Sequence, residues 1–341
     1  MMNARSRKSW ATQLGASLHL LYFAWAGLFL LAGCRNNPQI AIAVVPRTCG
    51  DMLWEPEHGG AQKAAFETGA RLYWNAPTRE DDVDGQIALV ERISSENFQG
   101  LVLAPDQSRA LITPVRRAMQ HGLSVVIVGS PLPVPPSDRL SYVLNDEEAG
   151  GRLAAQRLGT ILHGRGSVAI LGIDSDIAGI VLRARSLEQF LATHYPNIHI
   201  LKMIGSFNLP HEQQVAAETF KANPDLDVVV TLTSTSTVGV VSALASMRPS
   251  HRISIIAFDP DSNLGFDSPN LDSVVIEDTR KMGADAVQLI AAKLHGATVP
   301  AVTLLEPVLV LRENVNSTQV QQLLSRDWRP EPIQRAWRVP Q

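Results

Sequence analysis

Cysteine is scarce in this sequence of 341 residues, which contains only Cys34 and Cys49. If Cys34 is modified by a lipid, Cys49 has no intramolecular partner, and we expect no disulfide even in an oxidising compartment. A lone cysteine of this kind is more often a small packed side chain than a nucleophile.

An excess of charge of one sign is also missing, because the net charge is only -3. This balance gives no reason to expect a nucleic-acid partner. The composition, with 45% apolar and 18% charged residues, is that of a soluble globular protein. The length exceeds one ordinary core and predicts two lobes of roughly 100–150 residues each.

Catalytic signatures are absent as well. The sequence contains no Gly-rich phosphate loop ending in Lys-Ser/Thr, no G-x-S-x-G and no H-E-x-x-H. No constellation of nucleophile, base and orienting group emerges, so we expect a protein that is not an enzyme and has no cofactor.

One segment approaches a calcium-binding loop. Asp259, Asp261 and Asn263 have the 1-3-5 spacing of such a loop. However, Leu264 stands where the sharp turn needs glycine, and Asn270 stands where a bidentate glutamate belongs. We therefore expect a polar loop at a strand end and no metal site.

The first 34 residues differ in kind from the rest. Arg5, Arg7 and Lys8 precede an apolar run at 18–31, which is shorter than the about 20 residues of a spanning helix. The run ends in Leu-Ala-Gly-Cys at 31–34, which resembles the bacterial lipobox. We predict a lipoprotein signal peptide at 1–34, with Cys34 carrying the lipid and anchoring a periplasmic protein to a membrane. The alternative is an uncleaved anchor helix.

From residue 39 onward, short apolar runs alternate with longer segments of helical period. The strand candidates are 40–45, 72–74, 101–104, 125–128, 168–171, 198–204, 228–232, 253–258 and 274–276. The helix candidates are 60–69, 85–95, 109–121, 149–162, 182–194, 211–222, 238–247, 281–294 and 319–325. Runs buried on both faces indicate parallel sheets covered by helices. The pattern predicts an α/β fold of two doubly wound parallel-sheet lobes.

A Pro-rich loop at 131–138 interrupts the alternation, and 140–145 is interpreted as a crossover to a second set of units. We expect the N-terminal lobe to comprise 38–143 plus 278–305. The C-terminal lobe is then 144–277 plus 306–315, followed by a tail at 316–341. Ligands of such sheets sit outside the carboxyl ends of the strands, so facing ends would form a cleft.

Several short motifs follow one another in an order known from one family. They are Gly60-Ala61-Gln62-Lys63, Asn145-Asp146 with Gly150-Gly151, Arg183-Ala184-Arg185, Asn223-Pro224-Asp225, Ala257-Phe258-Asp259 and Lys281-Met282-Gly283. Across about residues 38–312 the chain resembles the ribose- and galactose-binding proteins of bacterial ABC importers. These share their core with the effector domains of lac-repressor-type regulators. The resemblance implies a type I periplasmic binding protein fold with a multi-strand hinge.

The resemblance also implies ligand positions in both lobes. The loop after the first strand contributes Asp51, Leu53 and Trp54, of which Trp54 is either a stacking face for a sugar ring or a packed core residue. The other implied positions are Arg183, Phe207, Asp259 and Glu277. Arg183 is either a donor to ligand oxygens or half of a helix-surface ion pair. Phe207 either stacks on the ligand or belongs to the core.

Two pairs of residues depart from the family pattern. Gly129-Ser130 replaces an Asp-Arg pair, and Thr233-Ser234 replaces an Asn-Asp pair. Both replacements remove bidentate groups that recognise a pentose or hexose, so the pocket is expected to favour another polar, carbohydrate-like ligand.

The expected mechanism is closure of the lobes around the ligand, with Val143, 277–279 and Val308 absorbing the rotation. The implied partner is an ABC permease, and the protein is expected to act as a monomer. The alternative is a sensing role, in which the closed form engages a sensor kinase or chemoreceptor.

Overall fold

The strands form two six-stranded sheets in the computed structural model, which describes residues 39–49, 54–259, 266 and 268–325. The strands are β1 Ala41–Val45, β2 Arg71–Trp74, β3 Gly100–Leu103, β4 Ser124–Gly129, β5 Leu140–Asn145, β6 Arg165–Ile173, β7 Asn197–Ile204, β8 Val228–Thr231, β9 Ser254–Phe258, β10 Leu271–Ile276, β11 Val302–Leu305 and β12 Val308–Leu311. The helices are α1 Glu55–Thr68, α2 Val83–Ser95, α3 Ile112–Gln120, α4 Glu147–Ile161, α5 Ala178–His194, α6 Leu209–Ala222, α7 Ser234–Met247, α8 Thr279–Leu294 and α9 Thr318–Leu324.

The first sheet has the strand order β11-β5-β4-β3-β1-β2, and all its neighbours are parallel. The second sheet has the order β12-β10-β9-β8-β6-β7. It is parallel except for its edge strand β12, which runs antiparallel to β10. The predicted α/β fold with two doubly wound, mainly parallel sheets is confirmed. We call the first sheet with its helices the N-terminal lobe and the second the C-terminal lobe.

Each sheet is covered on both faces, because alternate residues of its central strands enter different cores. In β1, Ile42 and Val44 pack with Ala61 of α1 and Met282 of α8. The intervening residues of β1 pack against α2 and α3 on the opposite face. In the second sheet, β6 is divided in the same way between α4 with α5 and α6 with α7. This burial explains why the central strands are continuous apolar runs.

Helices α4 and α5 approach each other closely at a glycine. A Cβ atom added to Gly151 of α4 would overlap the carbonyl oxygen of Arg183 in α5. The backbones can therefore meet only because Gly151 has no side chain. This contact holds Arg183 beside the first turn of α4.

The chain crosses between the lobes three times: after β5, between β10 and α8, and between β11 and β12. The stretch 140–145, interpreted from sequence as the crossover itself, is strand β5 of the first sheet, and the crossing follows it. Strands β11 and β12 were not among the strand candidates. The predicted signal peptide at 1–34, including Cys34, lies outside the described residues. In the part of the chain that is described, no helix is long and apolar enough to cross a membrane.

Candidate functional site

A cavity of about 80 Å³ lies where the carboxyl ends of strands from the two sheets face each other. A single water needs only about 15 Å³, so the space is large enough for more than one. The N-terminal lobe contributes the end of β4 and residues of α8, and the C-terminal lobe contributes residues that follow β8, β9 and β10. Ligands of open parallel sheets bind at this end of the strands.

The structure brings the described ligand positions of the sequence analysis to this one cavity. Its lining includes Trp54, Gly129, Ser130, Arg183, Phe207, Thr233, Asp259 and Glu277. Asp51 and Leu53 lie outside the described residues, as do Asp261 and Asn263 of the calcium-like loop. Among the residues that are described, no group of three His, Cys, Asp or Glu side chains is arranged to hold a metal ion.

Arg183 is buried at the centre of the C-terminal side of the cavity. Its Nε donates to Glu147 Oε2 at 2.7 Å, and Nη2 donates to Glu147 Oε1 at 3.1 Å. Nη2 also donates to Glu277 Oε1 at 2.9 Å. Nη1 donates to Asp259 Oδ2 and to the carbonyl oxygen of Leu232, both at 2.7 Å. The five N–H groups of the guanidinium are thus all used.

Because all five N–H groups already have acceptors, the role expected for Arg183 changes. The alternative of a helix-surface ion pair is wrong, because the side chain is buried and its guanidinium stacks 4.3 Å above the Phe258 ring. Donation to a ligand would require exchange of one of the protein bonds. Arg183 therefore positions three carboxylates around the cavity.

Glu147, Asp259 and Glu277 form an acidic cluster around this one cation. Burial raises the pKa of Glu277 well above its usual value, and the charges of Glu147 and Asp259 raise it further. Burial also raises the pKa of Glu147, against the opposing attraction of Arg183. Burial opposes the charged form of Arg183, but the three carboxylates outweigh it and raise the Arg183 pKa. The cluster thus favours the protonated form of Glu277.

Two buried polar atoms at the cavity have no hydrogen-bond partner among the described residues: Trp54 Nε1 and Asn145 Oδ1. Asn145 Nδ2 donates to Glu277, so its amide is held in place while its oxygen stays available. Trp54 offers a donor and Asn145 an acceptor. A ligand hydroxyl group can accept from Trp54 Nε1 or donate to Asn145 Oδ1.

Two residues at the predicted ligand positions already form hydrogen bonds within the protein. Thr233 caps α7, where its Oγ1 accepts a hydrogen bond from the Ser236 backbone N–H at 3.0 Å. Ser130 Oγ accepts one from the Gly179 N–H at 2.8 Å. Because Ser130 belongs to the N-terminal lobe and Gly179 to α5, this second bond joins the lobes across the cavity.

Arg47 forms the opposite wall of the cavity, and sequence reasoning did not select it. Its guanidinium lies 4.3 Å from the centroid of the Phe207 ring, which joins the two lobes. Its Nε donates to Asp106 Oδ1 at 3.2 Å, and Nη2 lies 3.7 Å from Glu80 Oε2. Burial raises the pKa of Asp106 to about 6, although Arg47 opposes the shift.

Backbone geometry also marks this site. Asp259 directly follows β9 and has a φ of 50°, in the left-handed region that few non-glycine residues adopt. Aspartate tolerates this region better than most residues. In this conformation the Asp259 carboxylate accepts a hydrogen bond from Arg183.

A model of the periplasmic binding protein domain family matches residues 42–298. The D-allose-binding periplasmic protein of Escherichia coli K12 is 22% identical over 296 residues, which cover 83% of this chain and 94% of that protein. The HTH-type transcriptional regulator CelR of Thermobifida fusca is 29% identical over 201 residues, 57% of each chain. A carbohydrate transporter solute-binding protein from Agrobacterium radiobacter, in complex with D-arabinose, aligns with a TM-score of 0.78 at 22% identity. That alignment covers 85% of this chain and 100% of the other.

These findings agree with the two-sheet architecture and the cavity between the sheets. The fold is that of type I periplasmic binding proteins, and the alignment with CelR agrees with the expected relation to regulator effector domains. The family consists of binding proteins that are not enzymes, and membership implies an extracytoplasmic location. Because the family model covers well over half of the sequence, the resemblance is confirmed: the chain belongs to the periplasmic binding protein domain family.

Proposed function

We propose that this protein captures a small polar, carbohydrate-like ligand between its two lobes and delivers it to an ABC import permease. The observation that supports the proposal is the lining of the cavity. Aromatic side chains, Trp54 and Phe207, stand there with buried polar groups at the facing strand ends. An apolar ring face with a few fixed polar groups suits a monosaccharide. The named ligands of two similar proteins, D-allose and D-arabinose, are of this class.

Capture would proceed by rotation of the lobes about the three crossings that follow β5, β10 and β11. A ligand that touches both lobes binds the closed form more tightly than the open form, so it stabilises closure. The bond between Ser130 and Gly179 and the contact of Arg47 with Phe207 support this view, because both join residues of different lobes. Gln107 Nε2 also donates to Asp176 Oδ2 at 2.9 Å across the lobes.

We further propose that the protein is a lipoprotein and that it acts as a monomer. The lipobox-like sequence at 31–34 supports a lipid on Cys34, which would keep the closed form near its permease. Mass spectrometry of the protein from membranes of its host tests the anchor. Attachment of diacylglycerol at Cys34, lost in Cys34→Ser, is the expected result. An N-terminus that retains residues 1–33 would contradict it.

A thermal-shift screen of the purified chain tests the capture of a carbohydrate. The panel contains pentoses, hexoses, amino sugars, polyols, nucleosides and amino acids. Selective binding to the native state raises the melting temperature, by an amount that grows with ligand concentration. A shift with a carbohydrate that disappears in Trp54→Ala supports the proposal. A shift only with amino acids or nucleosides, or with no compound at all, would contradict it.

Delivery to a permease needs a separate test. Cells that lack the protein should lose uptake of the radiolabelled ligand and regain it with the intact gene. Uptake that is unchanged in the deletion strain would contradict delivery, even if the purified protein binds the ligand.

A further inference from the structure

The charged side chains that line the cavity carry more negative than positive charge. Four carboxylates, those of Glu80, Glu147, Asp259 and Glu277, face the two guanidinium groups of Arg47 and Arg183. The imbalance lies mainly on the C-terminal side, where Arg183 contacts three carboxylates at 2.7–2.9 Å. Buried charge is costly unless it is paired. An empty closed cavity therefore contains more carboxylate than its own cations balance.

No cation in the described lining compensates this excess. The lining includes no lysine or histidine, and Arg47 already pairs with Asp106 and lies near Glu80. The groups that face Glu277 are Arg183 of α5, Glu147 of α4, Asp259 after β9 and the amide of Asn145, the last residue of β5. Two of these four neighbours are carboxylates, and Asn145 carries an amide oxygen besides the nitrogen that donates to Glu277. The environment is thus rich in acceptors.

The polar atoms around Arg183 that remain available to a ligand are acceptors too. All five N–H groups of Arg183 are already used within the protein. Asn145 is only 8% exposed, and its Oδ1 has no partner among the described residues. The Asp259 side chain is 23% exposed, which makes it the most accessible carboxylate of the cluster. A ligand group that fits here must bring donors and a positive charge.

We propose that the ligand is an amino sugar whose protonated primary amine lies among Asp259, Glu277 and Asn145. An ammonium group has three donors and no acceptor, which matches the acceptor oxygen atoms of these three side chains. The sugar ring would lie against the Trp54 and Phe207 side chains that line the cavity. The inference rests on the proposed capture of a carbohydrate-like ligand and specifies its chemical class.

Binding then exchanges a proton for the ammonium group. In this proposal Glu277 holds a proton before binding, as its raised pKa favours, and Arg183 balances one of the two remaining carboxylates, Glu147 and Asp259, which leaves one net negative charge. When the ammonium ion enters, Glu277 ionises and its proton leaves to solvent. The cluster then contains three carboxylates and two cations, so its net charge is again one negative. A neutral sugar offers no charge for this exchange.

Titration calorimetry of the purified full chain tests the inference with matched ligands. D-glucosamine, D-galactosamine and D-mannosamine are compared with the corresponding hexoses and N-acetyl derivatives. We expect at least one amino sugar to bind about tenfold or more tighter than its two neutral counterparts. Repeating the titration in buffers of different ionisation enthalpy should show release of up to one proton per bound amine.

Two variants separate the cluster from a general effect of charge. Glu277→Gln keeps an acceptor for Arg183 but cannot titrate, so it should abolish proton release and reduce the preference for the amine. The matched control is Glu148→Gln, the neighbouring position on α4, whose side chain is 63% exposed. This variant should leave both measurements unchanged. If Glu277→Gln does not fold, proton release by the unmodified protein decides the question.

The remaining outcomes distinguish the two proposals. If neutral sugars bind as tightly as the amino sugars, the amine inference is wrong and the proposed function stands. If amino sugars bind more tightly without releasing a proton, the assignment to Glu277 is wrong. If neither class binds, this inference and the proposed capture of a carbohydrate both fail.

Discussion

Glu147 accepts hydrogen bonds from both Nε and Nη2 of Arg183, so a buried bidentate ion pair joins α4 and α5 at the cavity. A pair of this geometry fixes both side chains more firmly than a single contact does. The overlap that a Cβ at Gly151 would make with the Arg183 backbone indicates that the helices and the ion pair depend on the same close packing.

Removal of Arg183 should therefore destabilise the protein strongly. In Arg183→Ala, the two buried carboxylates of Glu147 and Glu277 and the partly exposed one of Asp259 lose their cation, which costs about 3–5 kcal/mol in the free energy of unfolding. Urea unfolding at pH 7 measures the loss. Arg185→Ala, an exposed position on the same helix, is the control and should change stability by less than about 0.5 kcal/mol. Equal effects of the two substitutions would contradict the role assigned to Arg183.

Glu57 in the first turn of α1 predicts a dependence of stability on pH. It is fully buried, neither carboxylate oxygen has a partner among the described residues, and burial raises its pKa from 4.5 to about 8. Because the pKa of Glu57 is higher in the folded than in the unfolded protein, folding favours the protonated carboxyl group. The stability that this preference contributes is fully present below pH 4.5. It is lost as the pH rises to about 8.

Glu57→Gln lacks this titration. Its stability relative to the unmodified protein should rise between pH 4.5 and 8 by about 4 kcal/mol at most. Urea unfolding across this pH range measures the difference, with the exposed Glu67→Gln on the same helix as control. A difference that does not change with pH would show that the carboxyl of Glu57 titrates normally.

The core strands could be predicted from sequence because a strand buried on both faces is an uninterrupted apolar run, as in β1 and β8. Strands β11 and β12 were missed for two reasons. They are edge strands, and Glu306-Pro307 interrupts the apolar pattern between them. Val302 and Leu304 are exposed, so burial does not select the residues of β11.

Helix starts were predicted about two residues too late in several cases. The first turns of α2, α4 and α8 contain polar residues, which interrupt the apolar pattern. The true starts follow Asp82, Asp146 and Asp278, whose side chains accept hydrogen bonds from backbone N–H groups of the first turn. The N-cap residues were the better signal at these boundaries.

The acidic cluster could be predicted only in part. Asp259 and Glu277 follow strands, where the carboxyl ends of a parallel sheet place them at the cleft. Glu147 was missed because acidic residues are common in the first turn of any helix, and its sequence context resembles that of Glu148. Only the tertiary structure distinguishes them, since the Glu147 side chain is 6% exposed and that of Glu148 is 63% exposed.

Gly151→Ala should disturb the same helix contact from the backbone side. The added methyl group meets the Arg183 carbonyl oxygen, which cannot rotate away, so α4 and α5 must separate. We expect a loss of about 1–3 kcal/mol and weaker ligand binding. Gly150→Ala is the matched control, because its nearest atom belongs to the Phe258 side chain, at 3.2 Å. Equal urea midpoints for the two variants would contradict close packing at Gly151.

Ser130→Ala should shift the protein toward an open form. The substitution removes the acceptor of the Gly179 N–H, which spans the lobes at 2.8 Å, and such a bond contributes about 1 kcal/mol. The population ratio of closed to open forms should fall roughly fivefold, since 1.4 kcal/mol corresponds to tenfold. Small-angle X-ray scattering without ligand should then report a larger radius of gyration, and saturating ligand should restore the smaller value. Ser246→Ala, on the exposed part of α7, is the control and should leave the scattering unchanged. A radius of gyration that is the same for Ser130→Ala and the unmodified protein would show that this bond does not hold the lobes together.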